Sequence, residues 1–433
     1  MGRANAGASP IRADQASMRR TNTGLILRHL RDHSGQSRAR VAAQTGLSKA
    51  TMSSLISDLV ERGLVTEGEL DRGGSVGRPG LALHLDGGHV CGIGIEINVD
   101  YLSVTALDLR GRVLVEATRP LDTAALSSSA VVDLVADLIV DTTLGLAHRG
   151  VHPVSVTVAA PGSIDHAQGR VMFAPNLGWR DLHLVRELTE RLGPSAPPVV
   201  LENDANLGAV AEHARVLATG VQDLVFLAGD VGVGAGLIVE GRLLRGASGF
   251  AGEVGHLPLD PSMSECACGR RGCWEAVVGL AAFLRLAADR GDPLLDPAHR
   301  LEDRMAEIRA RALAQEPRSS AAVASIAQGL AVGVSLLADV FDPSMVVLGG
   351  YFALLGDLLV EPVTRTLRDR ALSDSVPTVT ASTLGLTSAA RGGAHLALDL
   401  VFRDPGAVPP PPSPLEPAAQ GSVPVPAPAR QPA

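Results

Sequence analysis

Lysine is almost missing from this chain. Of 38 Lys and Arg side chains in 433 residues, Lys49 is the one lysine and the rest are arginines, so a compact ammonium is available at a single place. Long apolar runs are also missing. No stretch of eighteen or more apolar residues occurs, and the N-terminal MGRANAGASPIRADQ carries no apolar segment of the kind a secretory signal needs. The expected compartment is therefore the cytoplasm, with no membrane partner. Cysteine is scarce: there are four, three of them inside the segment 266–273. That is not a disulfide framework, and a reducing compartment would keep these thiols available as thiolates.

What is present is a chain long enough for two or three packed domains, 46% hydrophobic, with a net charge of −8 that is unevenly spread. Residues 1–80 hold twelve basic against seven acidic side chains, a net of +5, which leaves −13 for the remainder. A basic head on an acidic body is the pattern expected when a small module meets nucleic acid.

The pattern of the head sharpens this. Residues 22–33 place Leu25, Ile26 and Leu30 at helical spacing, with Gly35 ending the segment. Ser37 opens a short second helix with Val41 and Ala42 turned inward, closed by Gly46. Ser48 can cap a third helix running through Arg62, with Met52, Leu55, Ile56 and Leu59 on one face. Two helices crossing steeply need a small contact residue, a turn residue that accepts positive φ and an apolar anchor. Ala42, Gly46 and Met52 meet those needs, so the segment is a helix-turn-helix.

The exposed face of the third helix offers Ser48, Lys49, Ala50, Thr51, Ser53, Ser54 and Ser57, short polar groups and one cation suited to base edges and phosphates. LVTEGEL and LALHL follow as two strands joined by DRGGSVGRPG, a wing carrying Arg72 and Arg78. The expected ligand is double-stranded operator DNA.

From residue 89 the texture becomes α/β. HVCGIGIEI, YLSVTALDL and GRVLVEA read as paired strands, a helix spans about 128–149, and VSVTVAA and VVLEN are further strands. DLVFLAG, GAGLIVEG and RLLRG restart the pattern, and SMVVLGG is a late buried strand after a long helix. Two similar halves suggest two lobes with a cleft between them.

His256, Cys266, Cys268 and Cys273 offer one imidazole and three thiolates, the donor set of a closed, tetrahedral, structural zinc site. Cys91, alone in an apolar strand, reads as core. LENDAN puts Asn203 and Asp204 at the end of a buried strand, and GEVGH supplies Glu253 three residues before His256. Sugar hydroxyls both donate and accept, so convergent carboxylates and amides of this kind can discriminate epimers.

Together APGSIDHAQGRVMFAPNLGW, LENDAN, GVGAGLIVEGRLLRGASGFAGEVGH, CACGRRGCWE and FDPSMVVLGG resemble the ROK family of repressors, open reading frames and sugar kinases, over roughly residues 18–400. With a winged helix in front, the chain looks like the repressor branch, which includes the xylose and N-acetylglucosamine repressors. The resemblance implies a two-lobed actin/hexokinase-like fold. It also implies that Asn203, Asp204, Glu253, His256 and Glu275 line a sugar pocket, with Asn176 in support, and that His256 and the three cysteines hold zinc. The expected architecture is an arm (1–17), a winged helix (18–85), lobe 1 (89–204 plus about 386–403), lobe 2 (205–385) and a disordered proline-rich tail (404–433).

Kinases of the family carry an Asp-x-Gly-Gly-Thr turn for the ATP phosphates. The matching positions here are Glu96, Ile97, Asn98, Val99 and Asp100. Val99 adds bulk where backbone must approach phosphate, and Asp100 adds charge beside a polyanion. Asp204 stands at the general-base position, yet ATP use is not expected. In the second lobe Gly232, Gly234 and Gly236, then Gly349 and Gly350, are compatible with a nucleotide lobe that no longer holds nucleotide.

The expectation is a sugar-responsive regulator, most simply a repressor of carbohydrate genes. A helix-turn-helix dimer reads half-sites about 34 Å or a multiple apart, so a palindromic operator and a homodimer or homotetramer are expected. Two alternatives remain at this stage: an active sugar kinase with an appended DNA-binding domain, and a regulator controlled by a protein partner.

Overall fold

The computed structural model describes residues 15–70, 80–86, 88–247, 249–296, 299–371, 376–408 and 410–411. Arg72 and Arg78 of the wing lie outside the described residues.

The head is a winged helix built from α1 (Gln15–Asp32), α2 (Arg38–Thr45) and α3 (Lys49–Glu61), with strands Val65–Leu70 and Leu81–Leu85 and a short strand Gln36–Ser37 that closes a three-stranded sheet. Helix α1 begins inside the segment expected to be an arm. Its core residues are Ile26, Leu27 and Leu30, whereas Leu25 is exposed, so Leu27 takes the inward place expected of Leu25. Gly46 ends α2 at φ 73°, a left-handed position that favours glycine. Ser48 caps α3, its hydroxyl accepting the Thr51 N–H at 3.1 Å. Ser37 precedes α2 without a side-chain cap bond, its backbone pairing with Ala82 instead.

Two five-stranded sheets of matching design form the body. In lobe 1 the order is Val199–Asn203, His152–Ala160, Val90–Ile97, Tyr101–Asp108, Val113–Pro120; the first three strands run parallel and the last two add antiparallel. Lobe 2 repeats this with Thr378–Ala381, Met345–Gly350, Leu224–Gly229, Val233–Val239 and Arg242–Leu243. Parallel strands buried on both faces require nearly continuous apolar runs, as in Val90–Ile97, every residue of which is buried. A third sheet, Ser163–Asp165, Arg170–Ala174 and Trp179–Leu182, extends the lip of lobe 1 and went unread as strands in the sequence.

The Pro317–Phe341 helix is long and apolar enough to cross a membrane by composition. It packs in the lobe 2 core instead, with Ile326, Leu330, Val334 and Leu337 buried.

Two helices join the lobes. Asp204–Val216 leaves the end of the lobe 1 sheet and packs on lobe 2 through Ala205 and Ala209 against Phe226. Ser388–Arg403 crosses it and lies on the lobe 1 sheet. The crossing needs bare backbone: a Cβ at Gly392 would strike the Leu207 carbonyl, and one at Gly94 would strike that of Ala390. The Ser388–Arg403 helix then reaches the winged helix, where Leu398, Val401 and Phe402 share a core with Ile26, Leu27 and Leu30. Arg28 Nη1 donates to the Phe402 carbonyl at 3.0 Å. The expected disordered tail does not begin at 404. Residues 405–407 form a 3-10 turn, Val408 is buried in the winged-helix core, and Arg62 Nη1 donates to the carbonyls of Gly406 and Val408 at 3.2 and 3.3 Å. The buried Pro405 and Val408 anchor this segment, against a proline-rich composition that pointed to disorder.

Candidate functional site

Each lobe's central strands run out at the same level, and the cleft between them collects the polar ends. Asn203, Asp204, Glu253, His256 and Glu275 all line this one cleft, together with Asn98, Val99, Asn176, Asn206 and Asp230. The lobe 1 strand Val199–Asn203 stops at Asn203, which caps the following helix by accepting the Asn206 N–H at 3.1 Å and donates from Nδ2 to the Gly162 carbonyl at 3.2 Å. Asp204, first residue of that helix, accepts the Ala205 N–H at 2.8 Å. Asn206 and Asp230 were missed in the sequence. Asn206 sits one helical turn past Asn203, and Asp230 was hidden in a glycine-rich run.

Carboxylates crowd the inner end. Burial pushes Asp204 up to about 7, with the Asp230 charge adding to it and the Ala205 N–H opposing. Burial and then the Asp100 charge push Asp230 up to about 6. Glu96 goes to about 8, through burial first and then Asp230, despite the Tyr101 hydroxyl donating to it at 2.8 Å. A group that holds its proton near neutrality can donate as well as accept, which suits a ligand made of hydroxyls. Among the described residues that line the cleft none is an arginine or lysine.

The four metal-type donors converge beside this cleft. One ligand atom from each of His256, Cys266, Cys268 and Cys273 lies within 4.8 Å of every other. The Cys268 and Cys273 sulfurs are 3.7 Å apart and Cys266 Sγ is 3.9 Å from His256 Nδ1. Tetrahedral bonds of about 2.3 Å to sulfur place two sulfurs about 3.8 Å apart, so the set fits a metal ion of that geometry. His256 turns Nδ1 toward the cysteines and Nε2 toward Glu253, 3.7 Å away. It therefore stands between the donor set and the cleft. Glu275 Oε1 is 2.8 Å from Cys266 Sγ and 3.6 Å from His256 Nδ1, joining the same two surroundings.

On the head, Ser48, Lys49, Ala50, Ser53, Ser54 and Ser57 are exposed and Thr51 is half-buried beneath the cap. They form one open face of α3. One helix connects the two regions: Ser388 borders the small pocket shared by Glu96, Asp204 and Asp230, and the helix ends at Arg403 beside the winged helix.

A winged helix joined to a two-lobed, actin-like α/β kinase fold defines a class in which a sugar-kinase scaffold carries a DNA-binding head. The chain belongs to the ROK family, whose pattern matches residues 92–400, and residues 21–74 match the MarR family of helix-turn-helix domains. The xylose repressor of Bacillus subtilis is 32% identical over 276 residues, 63% of this chain and 69% of that protein. The crystal structure of a ROK family transcriptional regulator, a homologue of the E. coli MLC protein, superposes with a TM-score of 0.72 over 89% of this chain and 97% of that one, at 22% identity. A ROK glucokinase from Streptomyces griseus, solved with glucose and AMPPNP, aligns at 27% identity and a TM-score of 0.60 over 71% of this chain and 99% of its own. The family thus contains named repressors and named kinases, and the MarR-type head of this chain together with the named repressors supports a sugar-responsive transcriptional regulator.

Proposed function

We propose that this protein is a sugar-controlled repressor of carbohydrate uptake or metabolism genes. It works in the cytoplasm as a homodimer or homotetramer on a palindromic operator. The observation that carries the reading is the convergence of five residues from three separated motifs in one interlobe cleft, on a chain whose α3 face stands open. A sugar held by Asn203, Asp204, Glu253, His256 and Glu275 would favour one lobe arrangement, and the response cannot exceed its differential affinity for the two arrangements. Zinc is the metal that best suits one imidazole and three thiolates, and with four protein ligands it would be structural.

ATP use is opposed by Glu96, Ile97, Asn98, Val99 and Asp100 at the phosphate-turn positions, and Asp230 adds a further carboxylate facing that space. A few ångströms from a phosphate, one like charge costs on the order of 4 kcal/mol at an effective dielectric of ~20.

The test is operator binding by the full chain across a panel of free and phosphorylated sugars. One sugar that shifts operator affinity supports the reading, and a flat panel would sink it. Lys49→Ala is expected to weaken operator binding by about tenfold and to lower the salt slope by about one. Unchanged affinity and slope would remove Lys49 from the interface. Cys268→Ser should lose bound zinc and lower the sugar affinity, because Glu253 and Glu275 are held beside the metal ligand His256. Stoichiometric zinc in that variant, measured by elemental analysis, would contradict the donor set.

A further inference from the structure

Glu202 does not reach the cleft, yet it touches much of what forms it. It is 1% exposed and is the penultimate residue of the strand Val199–Asn203. Oε1 accepts the Asn203 N–H at 2.9 Å and Asn206 Nδ2 at 3.0 Å, while Oε2 accepts Arg245 Nε at 2.8 Å. His166 Nε2 lies 3.4 Å from Oε1, and its Nδ1 is bonded to the Leu201 carbonyl at 3.2 Å.

Two consequences follow from these contacts. A carboxylate is an acceptor only, so it turns the Asn206 amide nitrogen toward itself and leaves Oδ1 as the free end. That oxygen is buried, has no hydrogen-bond partner among the described residues, and belongs to a residue lining the cleft. Arg245, by contrast, belongs to lobe 2 and begins the segment to Glu253. Gly246, Gly249 and Gly252 adopt φ of 73°, 82° and 97° there, and Gly249, Ala251, Gly252 and Glu253 line the cleft. The far end of the segment is pinned by the Ala235 N–H on the Gly252 carbonyl at 2.9 Å. Its near end is held across the lobes by the Arg245–Glu202 pair.

We propose that Glu202 is a positioning residue and that its pair with Arg245 is an interlobe latch. The latch orients the Asn206 carbonyl toward the ligand and holds the lobe 2 lip that carries Glu253. The sugar-affinity part rests on the effector reading above; the latch itself does not.

The test uses the full, metal-loaded chain with Arg245→Ala, Arg245→Lys and Glu202→Gln. Hydrogen exchange of residues 246–253 is measured without sugar, and D-glucose and D-xylose are titrated by calorimetry. Arg245→Ala is expected to speed exchange in 246–253 at least tenfold while the Pro317–Phe341 helix is unchanged, and Arg245→Lys to restore most of the protection. Glu202→Gln, which can present an amide to Asn206 and let it flip, should weaken whichever sugar binds the wild type at least tenfold. The double variant should be no weaker than Glu202→Gln alone. Unchanged exchange in 246–253, or a uniform rise across lobe 1, would overturn the latch. If neither sugar binds the wild type while Arg245→Ala still loosens the segment, the latch stands and the result counts against the effector reading alone.

Discussion

Asp204→Ala should lose the sugar response and yet leave the ligand-free protein at least as stable as the wild type. A ligand at 100 times its dissociation constant stabilises the folded state by roughly 2.7 kcal/mol, so the wild type should show a clear thermal shift with its effector. Removing the carboxylate strips a partner from sugar hydroxyls in a cleft where they cannot turn to water, and the shift should vanish at the same concentration. Stability runs the other way. Burial and Asp230 raise Asp204 to about 7 from an ordinary 3.8, so the native state binds its proton more tightly than the unfolded chain does. Stability from this group therefore falls as pH rises from about 4 to about 7 and is flat above that. Alanine removes the term, and the variant's melting temperature should match or exceed that of the wild type at pH 8, with the gap closing toward pH 5. A ligand-free variant that melts well below the wild type at pH 8 would mean Asp204 is a structural group. Retention of the sugar shift would remove it from the site.

Much of the fold was legible because it rests on local periodicity. The three helices of the head, its hairpin and the β-rich halves of the body were read from spacing. The departures have identifiable causes. Leu25 and Leu27 are both compatible with an amphipathic helix of that register, and only the packing of Phe402 and Val401 against α1 decides that Leu27 is inside. The strands Ser163–Asp165, Arg170–Ala174 and Trp179–Leu182 are three to five residues long, too short for an alternation to stand out among the glycine, proline and asparagine around them. The cleft residues recognised in advance lie in dense motifs. Asp230 was overlooked because its neighbours Gly229, Val231 and Gly232 read as a turn, and what makes it notable is its nearness to Glu96 on a strand, Asp100 in a turn and Asp204 at a helix start. Asn206 carried a usable signal: it follows Glu202 by four positions, the spacing at which an amide can reach back to a carboxylate near a helix start.

The second large effect is expected at the other end of the chain. A protein ending at Arg403 should still bind the sugar but should change its operator affinity much less in response, whereas one ending at residue 411 should behave as the full chain. Residues 404–408 contribute the buried Val408 and Pro405, the two carbonyls that accept Arg62, and Asp404, 3.8 Å from Arg20. Burying one valine contributes about 1.5 kcal/mol or more, and Arg62 stands directly behind α3, also pairing with Asp58 at 3.2 Å, which pairs with Arg19 at 3.1 Å. The Ser388–Arg403 helix is a single rod from the Glu96, Asp204 and Asp230 pocket to the head, so movement between the lobes reaches the head both through the core that Leu398, Val401 and Phe402 share with α1 and through this anchor. Loss of the anchor should leave a head held by the Leu398, Val401 and Phe402 packing alone, and the difference in DNA affinity with and without sugar should shrink. Equilibrium titrations of the operator with both truncated proteins, at saturating and zero sugar, separate the cases: if the chain ending at Arg403 keeps its full sugar response, residues 404–408 do not carry the coupling, which then runs through the Leu398, Val401 and Phe402 core or the 86–89 connection. Val408→Asp in the full chain gives the same reading without shortening it, because a carboxylate cannot stay buried unpaired among Leu59, Leu64 and Val90.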